Sequence, residues 1–246
     1  MTQTDVSIPT PDGAARAFAF HPDGEGPWPA VILFMDAPAV RPALFAMAER
    51  LAGHGYFVIL PDMFWRAGPY APIDLKALRD DEARRAAFGP LMASTDPEKS
   101  TRDTGAVLAW LATQPKVKGA RVGCVGYCMG GGMALRAAAA FPDRIVAAAA
   151  FHPGRLATDA PDSPHLLAPR IKARVYVGGA DEDASFPPEQ ADRLKAALDA
   201  AGVDNEVEIY KGARHGFAPP DTPVFDAAAS ERHWREVLKL FADTLG

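Results

Sequence analysis

The chain has 246 residues, 48% of them apolar, and a net charge of −5 from 26 basic against 31 acidic residues that are interspersed along it. That is enough apolar material for a sizeable core, expected as a single α/β domain over 1–246, and the absence of a basic block argues against a nucleic-acid partner. With no apolar run near the ~20 residues that cross a bilayer and no signal-peptide pattern in 1–11, no membrane partner and a cytoplasmic location are expected; Cys124 and Cys128 alone give no disulfide framework and no metal site, so no cofactor is expected either.

In chain order, Asp5 to Ile8 and Ala15 to Phe20 read as two strands joined around the turn pair Asp12-Gly13, an antiparallel edge. Ala30 to Met35 is a continuous apolar run, as in a strand covered on both faces, and it ends at Asp36-Ala37-Pro38. Pro42 to Ala52 has helical spacing, and Tyr56 to Leu60 is a second buried strand. The irregular segment Pro61 to Pro72 carries Phe64, Trp65 and Tyr70 at the carboxyl end of that strand, where open α/β sheets bind ligands. Packing of a long loop is an equal alternative for these aromatics. A charged helix is predicted for Asp74 to Leu91, and another from an N-cap at Ser100 to Gln114. After Cys128 come a helix over Met129 to Ala140 and strands over Ile145 to Phe151, Ala173 to Val177 and Glu206 to Tyr210. A helix over Pro187 to Ala201 lies between the last two, and a final helix runs from Thr222 or Pro223 to Leu245. This alternation predicts a mainly parallel sheet with helices on both faces.

The chemistry centres on Gly126-Tyr127-Cys128-Met129-Gly130, between a short strand over Val122 to Val125 and the helix that follows. It has the G-x-nucleophile-x-G form of a nucleophile elbow, with cysteine at the centre. The turn is so sharp that side chains two places either side of the nucleophile would collide with its neighbours, which gives both glycines a mechanical reason. The helix N-terminus favours a thiolate at Cys128. The Met129 N–H points toward the oxygen of an attacked carbonyl, and the Ala37 N–H is the natural second oxyanion donor by position. A small buried cysteine in a Gly-rich turn is the structural alternative.

Two later strand ends carry the remaining groups: Gly178-Gly179-Ala180-Asp181-Glu182-Asp183 and Lys211-Gly212-Ala213-Arg214-His215-Gly216-Phe217. Nucleophile, acid and base thus arrive in the order Cys128, Asp181, His215, the chain order of an α/β-hydrolase triad. Asp181 is preferred over Glu182 and Asp183 because it follows the strand and its Gly-Gly pair directly, whereas any of the three could cap the next helix. His152 follows another strand and is the reserve base, or a packing residue beneath the pocket.

The motifs VGYCMGG, GGADED and ARHGF together closely resemble the dienelactone hydrolase family (carboxymethylenebutenolidases). The resemblance implies an α/β-hydrolase fold with a central sheet of about eight strands, Cys128 as nucleophile, His215 as base and Asp181 as its orienting acid. It further implies a role near the thiol for Asp36, where the family more often has Glu. A small ester or lactone is the implied substrate, cleaved through a thioester on Cys128. Candidate substrate contacts are Trp65, Arg66, Tyr70, Arg84 and Phe217, with Arg66, Arg84, Arg85 and Arg214 as possible partners for a substrate carboxylate. An arginine close after the catalytic histidine, expected of the family, is missing: His215 is followed by Gly216, Phe217, Ala218 and Pro219. A broad-range carboxylesterase or thioesterase, a non-catalytic binding protein on the same fold and a redox-sensing cysteine are the other readings. Oligomeric state is not legible.

Overall fold

A computed structural model describes the chain except residues 72, 74 and 76–79 and the side chains of Asp81 and Arg84. Eight strands form one sheet in the order β1-β2-β4-β3-β5-β6-β7-β8. They are β1 (Thr2–Thr10), β2 (Gly13–His21), β3 (Trp28–Phe34), β4 (Phe57–Pro61), β5 (Val117–Tyr127), β6 (Ile145–Phe151), β7 (Arg174–Glu182) and β8 (Asn205–Arg214). β1, β2 and β4 pair antiparallel, and every pairing from β4 through β3 to β8 is parallel.

The parallel strands carry apolar residues on both faces because both are covered. In β5, Gly123 lies against Phe241 and Leu245 of α6 (Ala227–Leu245), while the next residue, Cys124, donates to the Ala134 carbonyl of α4 (Met129–Ala140) on the opposite face. α1 (Pro42–Gly53) shares the α6 face, tied to it by the Arg50–Glu231 ion pair and by Arg50 over the Trp234 ring. α3 (Pro97–Leu111) packs beside α4, and α5 (Pro188–Ala200) covers β8. Val31, Ile32, Leu33 and Phe34 of β3 are fully buried, each such side chain contributing about 1.5–3 kcal/mol.

Three helix starts differ from the sequence expectation, each for a capping reason. α3 opens three residues before Ser100, because the Asp96 carboxylate accepts the Lys99 N–H and Pro97 sits in the first turn. α6 opens at Ala227, where Asp226 accepts the Ala229 N–H. The charged helix α2 runs over Asp81–Ala93, capped by Asp80; most of the predicted stretch before it lies outside the described residues. Among the described residues no helix is long and apolar enough to cross a membrane.

Candidate active site

The parallel strands end on one edge, and the groups singled out by sequence follow four of these ends: Asp36 after β3, Cys128 after β5, His152 after β6 and His215 after β8. Cys128 is the N-cap of α4, at φ 54° and ψ −116°, a strained conformation for a residue with a side chain, of the kind that costs ~1–3 kcal/mol. Its neighbours leave no alternative. A Cβ on Gly126 would lie 1.9 Å from the Gly130 carbonyl oxygen, and one on Gly130 would lie 2.5 Å from that of Met35. The Cys128 N–H donates to the Phe151 carbonyl at 3.1 Å, tying the elbow to β6. Met129 opens α4, so its N–H is among the first-turn donors with no acceptor in the helix.

His215 meets both the thiol and a carboxylate. Nδ1 lies 2.6 Å from Asp183 Oδ2, and the Cys128 side chain stands near enough to act on the imidazole. The other Asp183 oxygen accepts the Ser185 N–H at 2.8 Å and the Ser185 hydroxyl at 2.6 Å. Burial works against a charged imidazole, yet Asp183 and Cys128 outweigh it and push the His215 pKa up to about 10. Burial likewise opposes ionised Asp183, but His215 and Ser185 hold its carboxyl below the usual value.

The carboxylate that meets His215 therefore differs from the one expected. Asp181 is exposed, and its carboxylate accepts the Gly212 N–H at 2.9 Å. The reason is the length of β7. Sequence reading ends the strand at Val177, but Gly178 to Glu182 continue it, so the first residue past its end is Asp183. Its signal was present in the sequence as an acid two residues before Ser185, a spacing that lets the carboxylate close a turn on the backbone.

Asp36 turns to a partner that sequence reading missed. Arg41, 3% exposed, donates to both Asp36 oxygens, at 2.5 and 3.0 Å, and on its other side to both Asp221 oxygens, at 2.6 and 3.0 Å. Burial raises the Asp36 pKa against the pull of Arg41. The expected contact of Asp36 with the thiol gives way to this pairing, because a buried guanidinium leaves its carboxylate partners little freedom. Nothing in the local sequence joins Arg41 to Asp221, which lies 180 residues away.

The remaining candidates separate. Trp65 donates through Nε1 to Asp103 at 3.0 Å and lies under the Arg66 guanidinium, which is itself shared between Asp12 and Asp103. These two residues fasten the β1–β2 turn to α3. The Tyr70 hydroxyl donates to Asp62 at 2.7 Å. Phe217 is fully buried, stacked on Tyr210 and edge-on to His152, so it packs in the core and not as a substrate contact. Arg85 is exposed on α2, and exposed Arg214 stands 3.7 Å from Glu182. The Arg84 side chain lies outside the described residues. His152 is fully buried at φ 36°, its ring 5.3 Å from that of His215, and neither of its nitrogens has a hydrogen-bond partner among the described residues. Burial is the main cause of a pKa well below the ordinary value, which keeps the His152 ring neutral. Among the described residues there is no cluster of three or more metal-ligating side chains.

Comparison with known proteins places the chain by fold and family. A Klebsiella pneumoniae crystal structure superimposes with a TM-score of 0.85 at 24% identity, covering 98% of each chain, which shows the shared fold. A relative in Synechocystis sp. is 27% identical over 250 residues, covering 98% of this chain and 97% of its own. The carboxymethylenebutenolidase of Pseudomonas putida is 26% identical over 231 residues, covering 94% of this chain and 92% of its own. The model of the dienelactone hydrolase family matches residues 15–245. With that match spanning nearly the whole α/β sheet and every strand end described above, the chain belongs to the dienelactone hydrolase family and is a hydrolase of the α/β-hydrolase fold.

Proposed function

We propose that this hydrolase cleaves carboxylic esters or lactones with Cys128 as nucleophile, His215 as general base and Asp183 as the residue that orients His215. The observation that carries the reading is His215 bonded through Nδ1 to buried Asp183 with Cys128 beside the imidazole, the cysteine standing at a strained elbow. Asp183 fixes the tautomer by accepting from Nδ1–H, which leaves Nε2 for the thiol proton. Attack of sulfur on the carbonyl carbon gives a tetrahedral oxyanion facing the Met129 and Ala37 N–H groups. Its collapse breaks the carbon–oxygen bond, and the proton on His215 leaves with the alcohol or stays on the hydroxyl of the opened lactone. The acyl group remains on Cys128 as a thioester.

The second half-reaction uses the same pair. Once sulfur is acylated, one of the two causes that raise the His215 pKa is gone, so more of the imidazole is neutral and free to accept a proton from water. Water adds to the thioester, and the thiol and acid are released. Because a thiolate is a good leaving group, amides are poor substrates and activated esters, enol lactones and thioesters are favoured. The engagement of Arg66 by two carboxylates removes one candidate receptor for a lactone carboxylate and supports a broader esterase or thioesterase range as the second reading.

Hydrolysis of p-nitrophenyl acetate and of a cis-dienelactone, by the wild type and by Cys128→Ala, tests this directly. Loss of both activities in the variant, with an acyl adduct on Cys128 seen by mass spectrometry in the wild type, is expected. Equal rates in variant and wild type would make Cys128 structural.

A further inference from the structure

A cavity of about 350 Å³ opens beside the elbow. One wall is α4 itself: Met129, Gly132, Met133 and Arg136 line it at i, i+3, i+4 and i+7, the spacing of one helical face. Seven residues of helix advance about 10 Å, so the groove runs that far from the residue after Cys128 to Arg136. Its middle is apolar, with Met92 also among the lining residues, and it stays open at Gly132, where a Cβ would meet only Leu156 at 3.8 Å.

The far end is charged and incompletely matched. The Arg136 side chain is 16% exposed, and burial, only partly offset by Asp162, lowers its pKa. Its Nη2 donates to the Asp162 main-chain oxygen at 2.5 Å, while the Asp162 carboxylate stands 3.7 Å away on a side chain 64% exposed. Arg41, by contrast, has two carboxylates each bound by two nitrogens. The acid on the cavity wall, Asp96, is taken by the N–H and the ammonium of Lys99. Arg155 also lines the groove but is exposed, where an ion pair contributes about 1 kcal/mol or less. A half-desolvated guanidinium with an unfilled fork gains more from an anion than a solvated one does.

Building on the hydrolase reading above, we propose that this groove holds the acyl chain of the substrate, and that the preferred substrates are esters or thioesters whose apolar acyl chain ends, about 10 Å from the reacting carbonyl, in an anionic group paired with Arg136. A groove that begins at Met129, the residue after the nucleophile, serves both half-reactions when it holds the part that stays on sulfur. The methionine walls suit a flexible methylene chain.

The test compares kcat/KM on p-nitrophenyl octanoate and on the mono-p-nitrophenyl ester of suberic acid, which has the same chain length and a terminal carboxylate. Each is divided by the value on p-nitrophenyl acetate, whose acyl group is too short to reach Arg136. The wild type is expected to prefer the suberate to the octanoate, and Arg136→Gln to reduce that preference about tenfold, equivalent to ~1.4 kcal/mol. Met133→Trp, which narrows the apolar part of the groove, is expected to lower both long-chain ratios. No preference for the suberate, or a preference unchanged in Arg136→Gln, overturns the proposal, as do unchanged long-chain ratios in Met133→Trp. The hydrolase reading fails separately: acetate hydrolysis would then be absent or would survive Cys128→Ala.

Discussion

Asp183 lies 2.6 Å from His215 Nδ1, while Asp181, two residues earlier on the same strand extension, is exposed and bonded to the Gly212 N–H. Burial separates the two acids. Asp183 is 8% exposed and held at both oxygens, so its charge acts on His215 with little screening by water.

Replacing each acid in turn tests the assignment. Asp183→Asn should lower kcat/KM on p-nitrophenyl acetate by about 10³, because an amide in its place no longer selects the tautomer that leaves Nε2 free. Asp181→Asn should stay within about twofold of wild type, since its hydrogen bond is solvent-exposed. Equal losses in both would return the question to the choice between them.

The same pair sets a pH window for stability. Asp183 has a depressed pKa, so its contribution is present above the ordinary value of 3.8 and is lost as pH falls through the folded value. His215 is raised, so its contribution is complete below 6.5 and is lost as pH rises through about 10. Thermal unfolding from pH 3 to 11 should therefore show two flanks, both flattened in Asp183→Asn. Cys128→Ser should lower the His215 pKa, because it removes the sulfur that helps raise it. An NMR titration of the imidazole reads this shift, and an unchanged value would remove the thiol contact from the account.

The Arg41 cluster predicts a strongly asymmetric response. Arg41→Met leaves Asp36 buried without its cation and should cost about 3–5 kcal/mol in urea unfolding. The double variant Asp36→Asn with Arg41→Met should recover part of that loss, because the stranded charge is gone. Asp221→Asn should cost about 1 kcal/mol or less, since that side chain is 38% exposed. A double variant as unstable as Arg41→Met would mean that packing, not charge, dominates there.

Two glycines with different reasons should respond differently to the same methyl group. At Gly126 the added Cβ meets backbone 1.9 Å away, so Gly126→Ala should cost more than about 4 kcal/mol or prevent folding. At Gly212, with φ 78° and open space around it, Gly212→Ala should cost only about 1 kcal/mol of backbone strain. Soluble yield and denaturant midpoints distinguish the two.

The local rules read well from the chain where the cause itself is local. The elbow glycines follow from the close approach of strand and helix within five residues, and the apolar runs of β3 to β6 follow from strands covered on both faces. Those features, with motifs spaced along nearly the whole sequence, sufficed for the α/β-hydrolase fold and the dienelactone hydrolase family. What sequence could not supply depended on where chains end and meet. β7 runs five residues past its apolar stretch because pairing with β8 continues to Glu182 and Arg214, and that extension moves the acid on His215 from position 181 to 183. The Arg41 partners come from the end of β3 and from a loop 180 residues downstream, and the alignment of Met129, Met133 and Arg136 becomes a groove only once the wall opposite α4 is in place. Hydrophobic period and turn chemistry act over a few residues and are written locally. Ion pairs and cavities are set by separations in space, which the folded sheet alone fixes.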